Sequence, residues 1–244
     1  MAFSLERRVN RAIRKIHQIA EIAGMRDALR RLVFMHIPKC AGSSIVSAAK
    51  SYLGSERSGN VVLLDDFMPA QQRREQIARA QDALFVSGHF GFETLEKVRK
   101  DAYVFTILRE PYERLRSTYG YMTVLKEKNP LPEHLKRLPI EDFFSSTEDA
   151  VLQWTDNVIA RAMAQTCDRG QSTFRDVDSM AAAAVANIGA FDHIGFLDTL
   201  DDDMTTIAKA ARIATFAKLG HRNSTKSHLG KSGRPEATSP LDDA

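Results

Sequence analysis

Five short apolar runs recur along the chain, and segments with helical periodicity separate each run from the next. Most of these runs are unbroken stretches of mainly apolar residues, which is typical of β-strands that are covered on both faces. Strands that alternate with helices predict an α/β sandwich of three layers, in which helices flank a central, mainly parallel sheet. The predicted strands are 31–37, 61–65, 83–88, 102–108 and 192–197. The predicted helices are 43–53, 70–81, 91–100, 111–127, 148–165, 178–188 and 199–219.

The first predicted strand runs into a loop that carries a lysine, small residues and two hydroxyls. Backbone N–H groups at the start of the following helix, with the lysine beside them, form an anion site that usually holds phosphate. The loop of nucleotide triphosphatases is absent, because Lys39 precedes Gly42 instead of following it. The two serines can also cap the helix. The candidate anion-binding residues are Lys39, Cys40, Ala41, Gly42, Ser43 and Ser44.

A second strand, 102–108, is followed by Arg109 and by a proline suited to the first turn of a helix. Ser117 lies about two turns into that helix. Arg109 at the strand end and Ser117 are therefore candidates for binding a second anion together.

These two blocks resemble the 5′-phosphosulfate loop and the 3′-phosphate motif of sulfotransferases that use 3′-phosphoadenosine 5′-phosphosulfate (PAPS). The pattern H-I-P-K, a small residue, glycine and hydroxyls matches 36–44, and L-R-[DE]-P…E-R…S-x-Y matches 108–119. The closer similarity is to the carbohydrate type, which includes the heparan and chondroitin sulfate enzymes. The resemblance implies a P-loop-like fold, PAPS as co-substrate and no metal.

Weaker similarities extend the resemblance over about 33–226. Four further segments resemble blocks of the family. Residues 86–90 match its strand that ends in Gly-His, and 156–161 match a helical block that usually reads D-N-x-Q-T-R. Residues 191–196 match its late strand, and 221–224 match its Asn-Ser loop. Within the helical block, Ile159 and Ala160 replace the usual polar pair.

Two residues are candidates for the catalytic base. His89 ends a strand beside the anion loop, and the unperturbed pKa of histidine suits removal of a hydroxyl proton near neutral pH. The Gly-His histidine of heparan sulfate 2-O-type relatives is taken as the base, and His89 matches it. Other branches use a glutamate, so Glu93 is the reserve candidate. Lys39 is assigned to the charge that develops on the bridging oxygen. His36, inside the first strand, is interpreted as a buried, hydrogen-bonded structural residue.

Two other classes of function remain open. A P-loop kinase would use Asp65 and Asp66 to hold magnesium, and its turnover would need that metal. A non-catalytic protein would keep the nucleotide site but recruit glycans or membranes, which the altered pair at 159–160 would permit.

The charge distribution bears on partners and location. The formal net charge of +3 is too small to imply nucleic-acid binding, yet 1–31 carries a charge of +5. We expect 1–31 to form a basic amphipathic helix that packs on the domain edge, contacts a membrane peripherally or docks to a partner. The sulfotransferase domain is predicted at 32–226 and a disordered tail at 227–244. The chain has no apolar run long enough to span a membrane, no secretory pattern and two cysteines, which together favour the cytoplasm.

The expected acceptor is a hydroxylated molecule, with a glycan or glycoconjugate favoured by the resemblance. The segment 126–139, which has three prolines, is predicted to be a surface excursion that borders the acceptor cleft. Basic residues that could line such a cleft are Arg73, Arg74, Lys126, Lys128 and Arg161.

Overall fold

The computed structural model describes residues 29–54, 57, 59–124 and 131–212. The chain divides into two compact units, Met1–Glu110 with Asp156–Gly220, and Pro111–Thr155 with His221–Ala244. Residues 1–28 of the predicted N-terminal helix lie outside the described residues, as do the whole predicted tail and the Asn-Ser loop.

The described part of the first unit contains a parallel five-stranded sheet with the strand order β2-β3-β1-β4-β5. This confirms the predicted α/β fold with a parallel sheet. The strands are β1 (Arg31–Met35), β2 (Val61–Asp65), β3 (Phe85–His89), β4 (Ala102–Leu108) and β5 (His193–Phe196). The α-helices of the described residues are α1 (Gly42–Leu53), α2 (Ala70–Ala80), α3 (Phe92–Val98), α4 (Pro111–Val124), α5 (Ile140–Ser145), α6 (Asp149–Thr155), α7 (Val158–Ala164), α8 (Val177–Ala186) and α9 (Leu200–Ala210).

The two faces of the sheet bury different helices, because successive side chains of a strand point to opposite faces. Val33 and Met35 of β1 belong to a core that includes residues of α2, α3, α7 and α8. Leu32 and Phe34 of the same strand belong to a second core with residues of α1 and α9. The sheet is thus the middle of three layers, and the unbroken apolar runs in the sequence reflect burial on both faces.

Arg31 anchors the beginning of β1. Its guanidinium donates hydrogen bonds to the carbonyls of Ala80, Ala83, Val98 and Lys100, at 2.6 to 3.0 Å. These carbonyls lie at or just after the ends of α2 and α3. The arginine therefore satisfies carbonyls that helix ends leave without intrahelical partners.

The second unit has a core of its own. Met122 of α4 packs with Leu131, Leu135, Phe143 and Val151, all of which are buried. The described part of the predicted surface excursion, 131–139, is mostly exposed, but two of its leucines are buried: Leu131 is 4% exposed and Leu135 is 1% exposed. The prolines and charged residues of this segment gave no indication in the sequence that Leu131 and Leu135 anchor it.

The prediction of one continuous helix at 148–165 is wrong, because the segment forms two helices, α6 and α7. Asn157 has φ = 46°, a left-handed conformation that asparagine tolerates better than most residues and that cannot continue a right-handed helix. Helical periodicity on both sides of the break concealed it. Helix α5 was not predicted at all.

Candidate active site

The loop between β1 and α1 has the backbone shape of an anion site. Lys39 and Ala41 have φ of 70° and 58°, both in the left-handed region. Left-handed residues that alternate with right-handed ones turn successive N–H groups toward one concavity. Ala41 is the N-cap of α1 and makes no side-chain cap hydrogen bond, and Ser43 and Ser44 lie within the helix, so neither serine occupies the N-cap position. Ser43 is exposed, Ser44 is half-buried, and Cys40 is buried.

The side chain of Lys39 is half-buried, so its charge is only partly hydrated. Burial, together with the nearby positive charge of Arg109, lowers the pKa of Lys39 to about 8. Arg109 follows the last residue of β4 and is half-buried. Two cations that raise each other's electrostatic energy create a local positive potential, which an anionic ligand would relieve.

His89 ends β3 and lies beside the anion loop, as predicted. Its half-buried ring is 4.5 Å from the ring of His36, centroid to centroid. Burial and the charge of Lys39 lower the pKa of His89 to about 4. The imidazole is therefore neutral near pH 7 and able to accept a proton.

Gly88 fixes the backbone that presents His89. Its φ is 146°, and a Cβ at this position would lie 1.7 Å from the carbonyl oxygen of Leu64 on β2. Glycine is therefore required here both by the close approach of the neighbouring strand and by backbone conformation.

Glu93, the reserve candidate for the base, is exposed in the first turn of α3. Its carboxylate accepts a hydrogen bond of 2.9 Å from the Gln165 side chain, and its amide donates one of 2.9 Å to the Gln165 carbonyl. Glu93 thus joins α3 to the segment after α7. Sequence reasoning gave no sign of Gln165.

Ser117, the second residue proposed for the 3′-phosphate, lies in the second unit. It is buried at 8% exposure on α4, one helical turn after the buried Arg114. The guanidinium of Arg114 donates a hydrogen bond of 3.1 Å to the Trp154 carbonyl, which ties α4 to α6.

Asp66 is a residue whose role the sequence did not reveal. Its 1% exposed carboxylate accepts hydrogen bonds from the amides of Gly91 and Cys167 and from the hydroxyls of Thr94 and Thr166, at 2.8 to 2.9 Å. Both oxygens are therefore engaged in joining the loops after β2, β3 and α7.

The geometry of Asp66 argues against the kinase interpretation, which gave this carboxylate to magnesium. Asp65 accepts the Phe67 amide at 3.0 Å, and burial raises the pKa of its carboxyl group. Within the described residues, no group of three or more histidine, cysteine or acidic side chains has metal-binding geometry.

Two of the basic residues proposed to line an acceptor cleft make hydrogen bonds within the fold. Arg73 donates hydrogen bonds to the Asp66 carbonyl at 3.3 Å and to the Gln171 side chain at 2.9 Å. Arg161 is 2% exposed and donates to the carbonyls of Asp156 and Cys167, and its burial lowers its pKa. Arg74 is exposed, and Lys126 and Lys128 lie outside the described residues.

The sequence model of the sulfotransferase family matches residues 25–243, which is most of the chain. The chain belongs to the sulfotransferase family. This membership agrees with the parallel sheet and with the basic loop at the start of α1. No curated protein matches the chain with significant sequence similarity.

Among the helices of the described residues, none is both long and apolar enough to cross a bilayer.

Proposed function

We propose that this sulfotransferase uses PAPS as its donor and transfers the sulfuryl group to a hydroxyl of a carbohydrate or glycoconjugate. The observation that carries this proposal is the convergence of Lys39, the start of α1 and His89 at one edge of the sheet. Ligands of parallel sheets bind at the carboxyl ends of the strands, and Lys39, His89 and Arg109 follow or end β1, β3 and β4.

The chemistry of the loop fits the 5′-phosphosulfate end of the donor. Backbone N–H groups at the start of α1 supply hydrogen bonds to phosphate oxygens, and Lys39 supplies a positive charge beside them. The family resemblance assigns Arg109 and Ser117 to the 3′-phosphate, and that assignment stays a prediction.

His89 serves as the general base in this proposal. It accepts the proton of the acceptor hydroxyl while the oxygen forms a bond to sulfur. The bond from sulfur to the bridging oxygen breaks, and 3′-phosphoadenosine 5′-phosphate leaves with the electron pair. Lys39 stabilises the negative charge that develops on that oxygen.

Donor binding would also adjust the strength of the base. The charge of Lys39 is one cause of the low pKa of His89. Burial is the larger cause and remains, so a bound phosphosulfate, which offsets the charge of Lys39, raises the pKa of His89 only in part.

A sulfation screen tests this function. The purified chain is incubated with PAPS and with glycans, glycolipids or small alcohols, and products are read by the mass shift of one sulfuryl group. Lys39→Ala protein and reactions with ATP instead of PAPS are the controls. Transfer that needs PAPS and Lys39 but persists after chelation of divalent metals supports the proposal. Transfer from ATP that needs magnesium would replace it with the kinase interpretation, and binding without turnover would favour the non-catalytic one.

A further inference from the structure

His36 occupies the space between the start of α1 and the proposed base. A Cβ placed on Gly42 would lie 1.9 Å from the Cδ2 and Nε2 atoms of His36, so the imidazole packs directly on the first residue of α1. The same ring is 4.5 Å from the ring of His89, at an interplanar angle of 39°. Its third neighbour is the ring of Phe34, stacked at 5.5 Å.

The position of His36 is fixed by a buried aromatic stack and by a backbone hydrogen bond. Phe34 is fully buried and stacks at 4.8 Å on the buried Phe105 of the adjacent strand. The His36 amide donates a hydrogen bond of 3.1 Å to the Gly88 carbonyl, next to the proposed base. Backbone and ring therefore both connect His36 to the strand end that carries His89.

We propose that His36 is a positioning residue for sulfuryl transfer, which sets the separation between the anion loop and His89 and shields one side of the His89 imidazole from water. This inference rests on the proposed function, in which His89 is the base. Its role differs from the structural one expected from the sequence, because the contacts of the ring run to both parts of the site.

The electrostatic surroundings of the two histidines are consistent with His89 as the base and His36 as the positioning residue. Burial and the positive charges of protonated His89 and of Lys39 lower the pKa of His36 well below its usual value. A proton that arrives at the pair therefore resides on His89, and His36 stays neutral beside it.

The kinetic test is a double-mutant cycle with His36→Ala and His89→Ala. In the wild-type background, we expect His36→Ala to lower kcat about 10- to 100-fold, the cost of misplacing a reacting group by a fraction of an ångström to 1 Å. The Kd for 3′-phosphoadenosine 5′-phosphate should stay within about threefold. In the His89→Ala background, the same change should alter the rate less than about twofold, since no base remains to be positioned. Equal losses in both backgrounds would overturn the proposal.

A second measurement needs no turnover. Burial is the largest cause of the low pKa of His89, so removal of the His36 ring should admit water and move the NMR titration midpoint of His89 upward. An unchanged midpoint in folded His36→Ala protein would overturn the proposal, whether or not the chain transfers sulfate. Absence of wild-type transfer would instead remove the proposed function and leave this result to decide the role of His36.

Two controls separate these effects from general ones. His134→Ala removes an exposed histidine of the second unit. Val62→Ala weakens the core on the face of the sheet opposite to His36. Neither change should alter kcat by more than about twofold or move the His89 midpoint.

Discussion

Asp66 holds the backbone carbonyl of His89, the proposed base, and the amide of Gly91, which follows it. Its amide donates a hydrogen bond of 3.0 Å to the carbonyl of His89, and its carboxylate accepts the Gly91 amide at 2.8 Å. The proposed base therefore sits in a short segment whose conformation depends on one buried carboxylate.

Asp66→Asn should destabilise the protein by about 2–4 kcal/mol, because an amide cannot accept all the hydrogen bonds that the carboxylate accepts. Urea denaturation measures the change in the free energy of unfolding. Asp65→Asn is the matched control and should cost less than about 1 kcal/mol, since the asparagine side-chain oxygen can still accept the hydrogen bond from the Phe67 amide. Equal effects of the two substitutions would contradict the role given to Asp66.

Gly88→Ala should prevent folding or destabilise the protein by more than about 3 kcal/mol, because the added methyl group overlaps the Leu64 carbonyl. The control is Gly189→Ala, where the added Cβ would have no atom of the described residues within 4 Å apart from the residue's own backbone and its chain neighbours. Thermal unfolding followed by circular dichroism compares the two. A melting temperature for Gly88→Ala near that of the wild type would show that the strand end is not as closely packed as described.

Acid should destabilise the fold through His89. The pKa of His89 falls from its usual 6.5 to about 4 in the folded protein, so the unfolded chain binds the proton more tightly. The stability due to the neutral ring is fully present above pH 6.5 and is lost as the pH falls from 6.5 through 4. The loss is on the order of 3 kcal/mol.

Urea denaturation of the wild type and of His89→Leu between pH 4 and 7.5 measures this effect. The stability of the variant should fall less steeply over that interval, although His36 retains a contribution of the same sign. Identical slopes for the two proteins would contradict a depressed pKa of His89.

How much of the site the sequence revealed depends on how local each signal is. The loop between β1 and α1 and the ends of the strands could be predicted because their signals are contiguous, and the apolar runs placed β1 and β4 to within two residues. The bonding pattern of Asp66 could not be found, since its partners lie 25 to 101 residues away along the chain. Gln165 was missed for the same reason.

The contacts of His36 could not be predicted from the sequence for a different reason. Its position in an apolar run predicted a hydrogen-bonded histidine in the interior, yet the structure places its half-buried ring against Gly42 and His89. Ring contacts between adjacent strands depend on register, and the sequence alone does not give the register of parallel strands. The break at Asn157 was missed because a single left-handed residue leaves the helical periodicity around it intact.

Alkaline pH should weaken donor binding through Lys39. The pKa of Lys39 in the folded protein is about 8, so the free site loses its positive charge as the pH rises through that value. The affinity for 3′-phosphoadenosine 5′-phosphate should then fall by up to about tenfold per pH unit, because only the charged lysine binds the phosphate well. Calorimetry from pH 7 to 9.5 measures it. The Lys39→Arg variant stays charged and should show a flatter profile, and a steep fall in that variant would assign the effect to another group.

Lys39 is proposed to bind the donor and to take part in the chemistry, whereas His89 is proposed to take part in the chemistry alone. The most direct test measures the Kd for 3′-phosphoadenosine 5′-phosphate and the single-turnover transfer rate in Lys39→Ala and His89→Ala protein. Lys39→Ala should weaken binding and slow transfer together. His89→Ala should keep the Kd within about twofold while transfer slows about 10²- to 10⁴-fold, the usual cost of losing a general base. Near-normal transfer by His89→Ala protein, with loss of transfer in Glu93→Gln protein, would contradict the claim and assign the base to Glu93.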